Sequence, residues 1–193
     1  MEKNLPQKTS LDRAAWIKAA TMLLAEGGAD RIRVELLAKR LGVTKGSFYW
    51  HFKDRQDLLE AILAQWKDGR IRDILKQTDA APGGELEQIF HVIDVYAANR
   101  NRKGIPIELA VRDWARRDAH AASIVTEVDA TRHKCAQRLF EAIGCNEAES
   151  AARSALLYAY VFGISLLSPQ SLGGNPELRR GLIADLVAGK PRT

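Results

Sequence analysis

Apolar residues recur three and four positions apart along almost the whole chain, and that spacing restricts the fold to packed helices. Trp16, Ile17, Ala20, Leu23 and Leu24 form one such stripe, and Val34, Leu37, Ala38 and Leu41 a second. Leu58, Leu59, Ile62, Leu63 and Trp66 form a third. No stretch alternates apolar and polar residues for long enough to make a strand. The punctuation also falls where helices need it. Gly27-Gly28 closes the first stripe, Gly42 the second, and Ala81-Pro82-Gly83-Gly84 is the clearest break in the sequence. The expected elements are nine helices, at about 10–26, 34–41, 44–51, 54–78, 85–101, 106–116, 118–142, 146–167 and 175–187. Ser10, Thr44, Asn146 and Asn175 are the expected N-caps, and Pro176 takes the first position of the last helix. The fold class is therefore all-α. A chain of 193 residues that is 46% hydrophobic can bury a substantial core under such helices.

The charge is unevenly placed. The net charge is +5, and residues 31–55 hold seven bases against two acids, so the whole excess lies there. A concentrated basic stretch favours a polyanionic partner, nucleic acid first, although a solvated helical face has the same composition. No apolar run approaches the roughly 20 residues that a membrane helix needs. The segment MEKNLPQKTS lacks the apolar centre of a secretion signal. Two cysteines, Cys135 and Cys145, are too few for a disulfide scaffold. These features point to a cytoplasmic protein with reduced thiols and no membrane contact.

Within the basic stretch, two short helices joined by Leu41-Gly42-Val43-Thr44 have the spacing of a helix-turn-helix. Glycine at the turn permits a left-handed backbone. In that arrangement the second helix lies in the DNA major groove, with its first residues at base edges. Its sequence is Thr44-Lys45-Gly46-Ser47-Phe48-Tyr49-Trp50-His51-Phe52. Phe48 and Phe52, four apart, share a face that anchors it, so Lys45, Ser47, Tyr49, Trp50 and His51 remain outside. Gly46 allows close approach to a base or phosphate. Tyr49 and Trp50 also fit a packed aromatic role, and pattern alone leaves both readings open.

The ordered run Leu37-Ala38-Lys39-Arg40-Leu41-Gly42-Val43-Thr44-Lys45-Gly46-Ser47-Phe48-Tyr49-Trp50-His51-Phe52-Lys53-Asp54 resembles the N-terminal domain of TetR-family transcriptional regulators. The likeness covers residues 10–60. It implies a DNA-binding helix-turn-helix domain at 1–53 and a helical ligand-sensing and dimerisation domain at 54–193. It implies that Tyr49 and His51 contact phosphate, and that Lys45, Ser47 and Trp50 meet base edges. Thr44 and Gly46 bring the backbone to a phosphate. Arg33, Lys53 and Arg55 add phosphate contacts, as does an arm carrying Lys3 and Lys8. Two positions depart from the family pattern: Val34 stands where Thr or Ser often opens the helix, and Arg55 where Lys is usual. The resemblance also implies a homodimeric repressor on a near-palindromic double-stranded DNA operator, released by a small apolar or amphipathic ligand, with no cofactor and no enzymatic activity.

The rest of the chain offers candidates only. Trp66, Phe90, Ile93, Leu109, Trp114, Phe140, Tyr158 and Phe162 are the candidates to line a ligand pocket, although a residue of this kind is more often plain core. Ala152, Ala155, Leu156, Ala159, Tyr160, Gly163 and Ile164 make a small-residue face that lets a second helix approach closely. With Leu182, Ile183 and Leu186 this face suits a dimeric four-helix bundle, or burial within one subunit. His133 and Cys135 lack zinc-site spacing. No nucleophile elbow, phosphate loop or dinucleotide glycine set occurs.

Overall fold

Side-chain caps set where the helices begin. In this computed structural model, which describes residues 11–81, 83–97, 104–167 and 173–189, Asp12 accepts the Ala15 amide and opens α1 (Arg13–Gly27). The cap expected at Ser10 and the arm with Lys3 and Lys8 lie outside the described residues. Then come α2 (Val34–Leu41) and, capped by Asp54 on the Asp57 amide, the long α3 (Arg55–Gln77). The body continues with α4 (Glu85–Ala97), α5 (Gly104–Ala115), α6 (Ala119–Ala142), α7 (Glu147–Leu166) and α8 (Pro176–Ala188). Asp118, Asn146 and Asn175 cap α6, α7 and α8. Helix α5 starts two residues before the expected Pro106, since proline is tolerated in a first turn whose amides have no helical acceptor.

The third expected helix is a 3-10 segment, Lys45–Trp50. The Ser47 amide reaches the Thr44 carbonyl and the His51 amide the Phe48 carbonyl, both three residues back. Gly46 and the Phe48-Tyr49-Trp50 run have little α-propensity, and the segment is too short for cooperativity to compensate. A further 3-10 turn, Ala29–Arg31, links α1 to α2. The other eight elements are α-helices, and no strand occurs among the described residues.

Two apolar clusters hold the fold. The first joins Trp16, Leu24, Leu37, Phe48, Phe52, Leu58 and Ile62 to Val111 and Val128, so it runs from α1 through α3 into α5 and α6 without a break at residue 53. The second gathers Ile89, Ile93, Leu139, Phe140, Leu157, Tyr158, Val161 and Val187 from α4, α6, α7 and α8. Burial of side chains of this size stabilises each cluster by about 1.5–3 kcal/mol per residue.

Candidate nucleic-acid interface

The turn after α2 follows from one residue. Gly42 has φ 67° and ψ 29°, the left-handed region, and its amide returns to the α2 carbonyls while the Val43 amide reaches Ala38 O at 3.0 Å. Glycine ends helices this way because it lacks the Cβ that the conformation crowds. Thr44 then turns the chain into the 3-10 segment Lys45–Trp50, and its hydroxyl makes no cap bond among the described residues. Phe48 and Phe52 fix that segment from below. Both are buried, their rings stack 5.3 Å apart, and Trp16 meets Phe48 edge-on at 5.4 Å.

The anchor leaves the opposite side bare. Trp50 is 87% exposed and Tyr49 57%, with Tyr49 edge-on to Phe48. Thr44, Lys45, Gly46 and Lys53 are exposed, and Ser47 and His51 are partly so. Arg33 is exposed at the N-terminus of α2, which has no side-chain cap. Arg33, Lys39 and Lys53 form no ion pair among the described residues. Lys45 pairs with Glu35 instead, which lowers the Glu35 pKa and raises that of Lys45. Arg40 grips Glu26 through two bonds of 2.7 and 2.8 Å and so ties α2 to α1. Arg55 has a different place from the phosphate role implied for it. Its Nε donates to Ile32 O at 2.6 Å and its Nη2 to Ala29 O at 2.8 Å. It bolts α3 to the carbonyls ahead of α2.

In the body, the aromatic candidates do not form one group. Ile93, Phe140 and Tyr158 are closed into the second cluster, with Phe90 and Phe162 packed partly against it. Trp66 and Trp114 belong to the first cluster, and Leu109 is half-buried on α5. Helical spacing put these side chains on inward faces, and most of those faces are consumed by packing between helices. Of the eight, Trp66 also borders a cleft of about 440 Å³ between α1, α3 and α5.

At the α5–α6–α7 junction lies a group that sequence reasoning missed. Arg112 holds Asp129 by two bonds of 2.6 and 2.9 Å and donates Nε to Glu108 at 3.0 Å. Arg132, 1% exposed, reaches Asp129 at 2.7 Å and Glu108 at 3.5 Å, while Glu108 is 4% exposed. Both guanidinium groups lie over the Phe162 ring, at 4.5 and 5.0 Å. Burial pushes the Asp129 pKa up, but the Arg112 hydrogen bond and the charges of Arg112, Arg132 and His133 outweigh it, and the net shift is downward. The available signal was Glu108–Arg112 and Asp129–Arg132 at helical spacing beside Val111 and Val128. Among the described residues no cluster of three or more His, Cys, Asp or Glu could hold a metal ion, and no helix is long and apolar enough to cross a membrane.

On α7, Ala152, Ala155, Leu156 and Ala159 form one exposed row, extended by the half-buried Tyr160, Gly163 and Ile164. Tyr160 also packs partly on the second cluster. On α8 the leucines at 178, 182 and 186 face outward. Ile183 differs from them: it leans on the chain's own second cluster, beside the buried Val187.

The family model for bacterial regulatory proteins of the tetR family matches residues 17–62, from α1 into α3. The transposon Tn10 TetC protein of Escherichia coli is 34% identical over 94 residues, 48% of this chain and 47% of that protein. The HTH-type transcriptional regulator AcrR of Shigella flexneri is 28% identical over 109 residues, 53% of this chain and 50% of that one. The chain thus spans about half the length of these curated relatives. A protein of Saccharomonospora viridis solved in complex with choline shares the fold, with a TM-score of 0.70 at 15% identity over 92% of this chain and 96% of that one. The turn, the aromatic anchor and the exposed face all lie within the residues that match the tetR family model, so the likeness to bacterial regulatory proteins of the tetR family is shown for this N-terminal segment, and beyond it the comparisons show a shared fold.

Proposed function

We propose that the chain is a dimeric DNA-binding transcriptional regulator, a cytoplasmic repressor whose grip on a near-palindromic operator is loosened by a small apolar or amphipathic ligand bound in the helical body. The observation that carries this reading is the recognition segment, clamped through Phe48 and Phe52 while Lys45, Tyr49 and Trp50 project into solvent. A large aromatic left bare on a basic surface suits stacking on a base or sugar better than it suits water. The exposed Arg33 and Lys53, with the uncapped start of α2, supply donors for phosphate. The S. viridis protein was solved with choline, which supports a small-molecule role for the body.

Selection from a random duplex library with purified protein tests the reading. A near-palindromic motif with half-sites about 34–36 Å apart is expected. Retention that vanishes with rising salt and enriches no motif would sink it. Lys45 and Tyr49 separate specificity from grip. Lys45→Ala is expected to cost about 1–3 kcal/mol on the selected site and to relax preference there. Tyr49→Phe removes only a hydroxyl and is expected to weaken all sequences alike, by about 1 kcal/mol. Titration of both variants against the selected site and a scrambled one reads the difference.

A further inference from the structure

We propose that the cleft between α1, α3 and α5 is a binding site for a small amphipathic anion, a single carboxylate or sulfonate on an apolar body. The cleft holds about 440 Å³, within the range of small-molecule sites. Its walls come from both parts of the protein, Met22 from α1, Trp66 from α3 and Ile107 from α5. Two cations, Lys18 and Arg70, stand among the described lining residues, and no carboxylate stands among them. Lys18 is exposed and forms no ion pair among the described residues. Arg70 gives one nitrogen to Asp73 at 2.5 Å, and a guanidinium has further donors to offer. An apolar body on Trp66 and Met22 with its charge between Lys18 and Arg70 meets both requirements.

Gly69 supplies the independent observation. It sits in the interior of the 23-residue α3, where glycine is a poor helix former, and it borders the cleft. A Cβ built there meets nothing within 4 Å, so no tight approach requires glycine. Any larger residue would extend into the open space.

The site lies where α1, which packs under the helix-turn-helix through Trp16 and Phe48, leans on the body. A ligand wedged against α1 and α5 has different contacts in any two arrangements of these helices, which is the condition for coupling it to the recognition segment. Occupancy itself does not depend on DNA binding and is read on the protein alone. The test is a fluorescence titration of the full chain with anilinonaphthalene sulfonate, alongside an arylammonium of the same size. The sulfonate is expected to saturate one site per chain, and the arylammonium to bind at least about tenfold more weakly. Lys18→Glu is expected to weaken the sulfonate by about tenfold, and Gly69→Phe to abolish saturable binding with the melting transition retained. Lys18 is a surface residue, so its variant decides the matter should Gly69→Phe fail to fold. Equal sulfonate affinity in the wild type and Lys18→Glu, or an arylammonium that binds as tightly, overturns the proposal.

Discussion

Arg132→Met is expected to destabilise the fold by about 3–5 kcal/mol, a fall of about 10 °C in melting temperature for a domain of this size. The group at the α5–α6 junction balances two acids, Glu108 and Asp129, against two guanidinium groups. Removal of Arg132 leaves both carboxylates to Arg112 alone, with Glu108 almost wholly out of water. A single buried charge without compensation is far more costly than a balanced pair. One opposing effect is smaller: Arg132 Nε has no hydrogen-bond partner among the described residues, so its loss relieves one unsatisfied donor.

The double variant Glu108→Leu with Arg132→Met separates charge imbalance from lost packing. It keeps the bidentate Arg112–Asp129 pair and restores neutrality. Its stability is expected to fall within about 2 kcal/mol of the wild type, well short of the summed single losses. Urea titrations of the wild type, both singles and the double complete the cycle. Simple additivity would mean that the four groups act independently and the argument fails. The same network fixes the sign of an acid effect. Asp129 has its pKa lowered in the fold, so its contribution is present above the ordinary carboxylate value and is lost as the pH falls below about 4.

The elements and the turn were legible in the sequence because their causes are local. An Asn ahead of an acidic first turn at 146, Asn-Pro at 175–176 and Gly42 after a basic last turn each act within four residues, and each ended or began a helix where expected. The anchoring of Phe48 and Phe52 was legible for the same reason, since four-residue spacing places both on one face. What failed depended on distance or on small energy differences. An α-helix and a 3-10 segment over 45–50 differ by one residue in the hydrogen-bond step, and pattern does not resolve them. The task of Arg55 is set by carbonyls 23 and 26 residues away. The Glu108–Arg112–Asp129–Arg132 group exists only once α5 lies on α6. Periodicity marked the aromatic residues as inward and could not say whether the inside was filled or hollow.

Leu182→Glu combined with Leu186→Glu is expected to convert the proposed dimer to a monomer, with the dimer dissociation constant raised at least about a thousandfold. The argument starts from the two faces of α8. Ala184, Val187 and Ala188 are buried on the chain's own core, whereas Leu182 and Leu186 remain 60% and 66% exposed. Within one subunit those leucines support little, so their replacement leaves the fold standing. Beside them, Leu156 and Ala152 on α7 share with Leu186 a groove of about 530 Å³, which a second copy's helix can enter. In a twofold interface each substitution appears twice, so four carboxylates would be forced into an apolar seam. The consequence for DNA is larger than the loss of contacts. A dimer holds its second recognition segment at a high effective concentration over the second half-site, an advantage of about 10²–10⁴ that a monomer lacks. Light scattering reads the assembly, and titration of a full and a half operator reads the rest. The variant is expected to bind the full site scarcely better than the half site. A variant that remains dimeric would place the interface elsewhere than α7 and α8. A monomeric variant with undiminished affinity for the full site would show that the two half-sites are not read together.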